Sequence, residues 1–159
     1  MSEYELHIKR AIDLSISATQ HGNHPFGALL VDKSGAVILE AENTVNTESD
    51  VTRHAELNLV SAANKKFSPE KLKECTLYTS TEPCCMCAGA IFWTGIKHVV
   101  YSCPEGRLSE IVNRKRPKHQ DGGLNVPCRV VYNMATGVKV QVTGPILEEM
   151  SAKVHEDYW

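Results

Sequence analysis

Apolar and polar positions follow two different periods along this chain, and the period switches repeatedly between them. Tyr4, Ile8, Ala11, Ile12 and Ser15 recur at helical spacing until Gly22 and Pro25 end the pattern. The apolar run Ala28-Leu29-Leu30-Val31 follows, and Val37-Ile38-Leu39 resumes it beyond a turn at Lys33-Ser34-Gly35, which predicts a hairpin. Helical spacing returns from Ala55 to about Ala63, with Ala55, Leu59 and Ala62 on one side and Pro69 limiting its reach. Thr76 to Ser80 reads as a strand. Pro83 suits a first helical turn, where its missing N–H needs no partner, so a helix is expected from Pro83 to about Trp93, ended by Gly95. His98 to Tyr101 and Val138 to Val142 read as further strands, and a final helix opens near Pro145. The stretch between Cys103 and Pro127 is polar and rich in Gly and Pro, which predicts a long loop with a short helix near Leu108 to Val112.

Alternating helices and about five strands, with no repeat, linker or low-complexity tract, predict one α/β domain over residues 1–159. Seventeen Lys and Arg against nineteen Asp and Glu give a formal net charge of −2, so the chain is not built chiefly to sit on a polyanion. The opening Met1-Ser2-Glu3-Tyr4-Glu5 lacks the basic flank and apolar run of a signal peptide, and no segment has the roughly 18 apolar residues of a membrane span. A cytoplasmic location, away from membranes, is the expectation. Cysteines there stay reduced, and Cys84, Cys85 and Cys87 crowd into four positions, a spacing that metal binding explains better than disulfides.

The chemistry concentrates in His54-Ala55-Glu56 and Pro83-Cys84-Cys85-Met86-Cys87. Cys84 and Cys87, three apart, point to one side of a helix while Cys85 turns about 100° away. Two thiolates and the imidazole of His54 suit one zinc ion and leave its fourth position for water. Glu56, two residues from His54, would face away from it in mid-helix, so the motif must straddle a loop-to-helix junction. Glu56 then lies beside the water and can move its proton. This is the H-x-E and P-C-x-x-C signature of zinc deaminases. A redox CxxC pair, or a structural zinc site completed by Cys75, Cys103 or His98, are the alternatives; the structural site leaves Glu56 without a purpose.

With these motifs, together with Pro25-Phe26-Gly27-Ala28, Asn43 and Thr79-Ser80-Thr81-Glu82-Pro83-Cys84-Cys85-Met86-Cys87-Ala88-Gly89-Ala90, the chain resembles the cytidine and deoxycytidylate deaminase superfamily, in its branch of free-base, nucleoside and tRNA-adenosine deaminases. The resemblance spans about residues 4 to 102. It implies a three-layer α/β/α cytidine deaminase-like fold on a five-stranded mixed sheet, usually in homodimers or larger assemblies. It implies zinc on His54, Cys84 and Cys87, and Glu56 as catalytic proton shuttle. It places Phe26, the Gly27–Ala28 backbone and Asn43 against the substrate, and the Glu82–Pro83 backbone beside the departing amine. Arg53 and Cys85 depart from the family's usual residues; Arg53 is read as a solvated partner of Asp50, and Cys85 as a small buried hydrophobe.

Arg114, Lys115, Arg116 and Lys118 form the one basic cluster, read as a solvated run rather than an anticodon-arm contact. The chain ends in His155-Glu156-Asp157-Tyr158-Trp159. In free-base relatives the C-terminal region folds over the pocket, which makes residues from about 145 to 159 a candidate lid, with Tyr158 and Trp159 enclosing a small planar base. The acids beside them suit the N–H groups of guanine. The sequence-based expectation is therefore zinc-dependent hydrolytic deamination of a nucleobase or nucleoside, guanine first, by zinc hydroxide attack and loss of ammonia. Cytosine or another aminated heterocycle stands second, tRNA adenosine third, and a noncatalytic zinc-stabilised binding protein is the alternative from a different class.

Overall fold

The structure, a computed structural model, describes residues 1–117 and 122–159. Helix α1 (Glu3–Gln20) starts at a capping box in which Ser2 and Glu5 satisfy each other's backbone N–H, and its stripe of Ile8, Ala11, Ile12, Leu14, Ser15 and Ala18 is buried. The predicted hairpin follows as β1 (Gly27–Val31) and β2 (Val37–Glu42), antiparallel to each other. Its turn is tied by Asp32 Oδ1, which accepts from the Ser34 and Ala36 N–H groups, and Gly35 supplies a φ of 83°.

The chain continues through α2 (Val45–Glu48), α3 (Ala55–Lys66), α4 (Pro69–Lys73), β3 (Thr76–Thr81), α5 (Cys85–Thr94), β4 (His98–Cys103), α6 (Glu105–Lys115), α7 (Cys128–Asn133), β5 (Gln141–Thr143) and α8 (Glu148–Tyr158). The five strands form one sheet in the order β2-β1-β3-β4-β5. β3 runs antiparallel to β1, while β4 and β5 run parallel to β3 and β4, so the sheet is mixed as expected. All five residues of β1 are buried, as a strand covered on both faces requires. One face packs Leu59, Val60 and Ala63 of α3 and Ala88 and Ile91 of α5 against Leu30 and Leu77. The other packs Ile8, Ala11 and Ile12 of α1 against Leu29, Tyr78 and Val100. α8 lies beside α1 and α6. Helices therefore cover both faces in a three-layer α/β/α arrangement.

Several local expectations need correction. α5 begins at Cys85 rather than at Pro83: Cys84 is its N-cap, extended at φ −62° and ψ 168°, with its carbonyl accepting from the Ala88 N–H, and Pro83 precedes the helix. The helix expected over 108–112 runs from Glu105 to Lys115, because a carboxylate far away in sequence, Glu82, caps its first N–H. The alternating run 138–142 pairs only over Gln141–Thr143, where His98 to Val100 present an edge. The last helix begins at Glu148 rather than near Pro145. α2, α4 and α7 are short and carried no clear period. Lys118, the fourth cation of the basic cluster, lies outside the described residues.

Candidate active site

Two helix N-termini build the site. His54 is the N-cap of α3, extended at φ −66° and ψ 152°, so His54 lies in the entering loop and Glu56 in the first turn, as the HxE spacing demanded. Cys84 caps α5 and Cys87 sits in its first turn. His54 Nδ1 lies 3.6 Å from Cys84 Sγ and 3.5 Å from Cys87 Sγ. Zinc with N and S ligands at ordinary bond lengths in a tetrahedron separates those atoms by about 3.6 Å, so the donor set fits the ion. His54, Cys84 and Cys87 are the one such trio among the described residues, with ligand atoms all within 4.8 Å of one another. Cys75, Cys103 and His98 are not part of it, which removes the closed structural site. Cys85 lies outside the trio too, and is partly exposed rather than buried.

The thiols are polarised. Hydrogen bonding from Cys87, helped by His54, draws Cys84 down to about 4, and the same contact with burial pushes Cys87 up. The bond to Cys84 raises His54. Glu56 is 4% exposed, its Oε1 accepts from Thr79 Oγ1 at 3.1 Å, and its Oε2 faces Cys87 Sγ at 3.7 Å. Burial, with the negative charge of Cys84, raises Glu56 to about 7. A carboxyl that can hold or release a proton near neutrality thus stands beside the trio.

The predicted substrate-side residues fall into different places. Asn43 is buried; its N–H donates to the Phe26 carbonyl and its Oδ1 accepts from Val45, while no described residue accepts from its amide NH2. Phe26 packs its ring 5.2 Å from that of His155. Gly27 and Ala28 are held in the sheet: Gly27 N–H donates to Ser80 Oγ at 3.1 Å, and Ala28 is fully buried between Ala41 and Thr79. The Glu82 N–H is committed to Cys103 O, so the carbonyls of Glu82 and Pro83 are what that segment can offer an amine. The Glu82 carboxylate turns the other way and accepts from the backbone N–H groups of Glu105 at 2.9 Å and Cys128 at 2.8 Å. Arg53 pairs with Asp50 at 3.2 Å, as read from sequence.

Tyr158 and Trp159 meet at His24: the Tyr158 hydroxyl lies 3.2 Å from His24 Nδ1, and the indole stacks on the imidazole at 5.3 Å. Burial, and then the nearby charges of His54 and Arg116, lower His24. The acids of the tail point elsewhere. Glu156 pairs with Arg114 and Lys115, and Asp157 with Lys153. Besides Glu56, a second acid comes near the trio: Glu105, at the first turn of α6, feels the charge of Cys84 and helps raise His54, and the loop reading gives it no role. Thr79 and His155, though part of the motif and tail runs, have no role legible from sequence, because a threonine in a strand and a histidine in a helix carry no signal of their partners.

The family model described as the cytidine and deoxycytidylate deaminase zinc-binding region matches residues 1–103, and those residues hold the whole trio and Glu56. The chain belongs to that family. Its cofactor is zinc, and the trio is where it can be held. Similarity extends past the matched region: a probable cytosine deaminase of Schizosaccharomyces pombe is 36% identical over 160 residues, which cover 100% of this chain and 94% of that relative. The guanine deaminase of Bacillus subtilis is 44% identical over 108 residues, 67% of this chain and 69% of that relative. Among solved structures, the guanine deaminase of Nitrosomonas europaea matches with a TM-score of 0.79 at 22% identity, over 97% of this chain and 83% of that one, a likeness of fold. No helix among the described residues is long and apolar enough to cross a membrane.

Proposed function

We propose that this family member is a hydrolytic deaminase of a free aminated nucleobase, with guanine the first candidate. The observation that carries this reading is Glu56: buried, anchored by one oxygen and presenting the other to the trio. Zinc, when bound by His54, Cys84 and Cys87, supplies the Lewis acidity that makes water nucleophilic at neutral pH. Glu56 Oε2 takes one proton of the attacking water to the ring nitrogen, and then carries the second, from the hydroxyl added to the ring carbon, to the amine that leaves as ammonia. The Asn43 amide orients the base by donating to a ring acceptor. Phe26 and the tail aromatics wall the site and limit water. The tail, from about residue 145, acts as lid of the same zinc deaminase unit.

A free base suits this site better than an RNA loop. Arg114, Lys115 and Arg116 are occupied by the tail: the first two pair with Glu156, and Arg116 lies over the Trp159 ring at 5.8 Å. A basic face spent on an internal contact has little charge left for phosphate. The likeness to a guanine deaminase at 44% identity favours guanine. Cytosine is the second reading, favoured because the probable cytosine deaminase matches the whole chain, tail included. We further propose that the enzyme works in the cytoplasm as a homodimer. Trp93 is 84% exposed on α5, and Val130 and Met134, at 51% and 79%, are exposed on and just after α7, an apolar face suited to a second copy.

Ammonia release from guanine, cytosine, adenine, their nucleosides and a tRNA anticodon stem-loop, compared between wild type and Glu56→Ala, tests the reading. Release from a free base that falls at least about 100-fold in the variant, with zinc content retained, is expected. Release from the stem-loop alone would replace the free-base reading with the RNA one. Release unaffected by Glu56→Ala would overturn the role of Glu56.

A further inference from the structure

The connection that presents Cys84 also fixes the start of α6. Glu82, two residues before Cys84, holds the Glu105 N–H with its carboxylate, so the first residue of α6 is pinned close to the zinc trio. The Glu105 side chain is partly buried there, and burial with the charges of Cys84, Glu82 and Glu56 raises it to about 7. The influence is mutual, since the Glu105 charge in turn raises His54. Among the described residues no donor reaches the Glu105 carboxyl. Beside it opens a cleft of about 500 Å³ along α6, into which Ser109 and Asn113 also face. A partly desolvated carboxyl without a protein partner, at the junction of a catalytic centre and an open cleft, is a recognition group waiting for donors.

We propose that Glu105 is a specificity-determining residue of the substrate site, its carboxyl accepting hydrogen bonds from the ring N–H and exocyclic amine of the base. This rests on the free-base reading above. It assigns to Glu105 the acceptor role that the tail acids, occupied by Arg114, Lys115 and Lys153, do not fill. A carboxylate accepts two N–H groups side by side and rejects a base that presents a methyl or a lone pair instead. Ser109 and Asn113, both neutral, extend the same preference to an uncharged substituent.

The test compares wild type, Glu105→Gln and Glu105→Ala on each base that wild type deaminates and on its ring N-methylated analogue. Zinc content and thermal midpoint are measured on the same samples. Gln keeps the shape but offers an NH2 where an acceptor was. The expected result is a fall of at least about tenfold in kcat/KM in both variants, carried mainly by KM, with discrimination against the methylated base shrinking by a similar factor. Zinc content stays at the wild-type level. An acid that served only the dipole at the start of α6 would shift the thermal midpoint and leave base discrimination unchanged, and that result overturns the proposal. Unchanged kinetics in Glu105→Gln overturns it as well. If wild type releases ammonia from no free base, the underlying reading fails and this one with it, an outcome distinct from an active wild type whose variants behave alike.

Discussion

Thr79 is the hydroxyl that holds Glu56. Its oxygen lies 3.1 Å from Glu56 Oε1 and 3.0 Å from the Thr81 carbonyl, but one proton serves one acceptor at a time. An ionised Glu56 receives that proton. A protonated Glu56 donates to Thr79 Oγ1, which then turns its own proton to Thr81. Thr79 therefore steadies Oε1 in both states, which leaves Oε2 free for the proton that we propose Glu56 moves. Thr79→Val, nearly isosteric at a site 1% exposed, is expected to lower kcat by roughly tenfold with little change in KM or zinc content, and Thr79→Ser to restore it. Equal kcat in wild type and Thr79→Val would remove this positioning role. The ligands and Glu56 were legible from residue spacing because HxE and CxxC encode local geometry. Thr79 and Glu105 were not, since what places them, Glu56 for the one and Glu82 at the backbone N–H of the other, lies elsewhere in the chain.

At the scale of elements, sequence period identified what is amphipathic and long, and missed what is held by distant partners. α1, the hairpin, β3 and β4 were readable because each buries a regular face. α6 reads as only a short helix over 108–112 within a loop because its cap, Glu82, lies on the connection after β3, and its charged sequence carries only Ile111 into full burial. The same carboxylate caps α7, so one residue organises two helices that no local pattern announces. Gly27, read as a substrate contact, has a second duty at this scale. A Cβ there would lie 2.5 Å from Ala11 O and Leu14 Cβ and 2.6 Å from Ser15 N, so α1 reaches β1 only over a hydrogen. Gly27→Ala is expected to destabilise the fold by about 1–3 kcal/mol, seen as a lower midpoint in chemical denaturation. A wild-type midpoint would show that α1 shifts without cost.

Across the whole molecule, the C-terminal helix is joined to the catalytic layer through His155, which is fully buried. The Trp159 indole donates to His155 Nδ1 at 3.3 Å, so the ring is neutral with its proton on Nε2, and that N–H donates to Thr81 Oγ1 at 2.8 Å. Burial lowers His155 to about 4 from an ordinary value of 6.5. Between those values the unfolded chain holds a proton on this residue that the folded chain does not. Its contribution to stability is complete above about pH 6.5 and is lost as pH falls toward 4, at up to about 1.4 kcal/mol per pH unit. Zinc-loaded wild type should therefore lose stability across that window more steeply than His155→Asn, measured by denaturant titration at each pH. Parallel curves would show that His155 is accessible to protons in the folded state.

The proposed function makes the zinc trio and Glu56 the deaminating centre for a free base. The most direct measurement is ammonia release from guanine and cytosine by wild type and Glu56→Ala at matched zinc content. Release by wild type from one of these bases, absent or at least about 100-fold lower in the variant, is the predicted result. Silence of wild type on both bases, or equal release by both proteins, would contradict it.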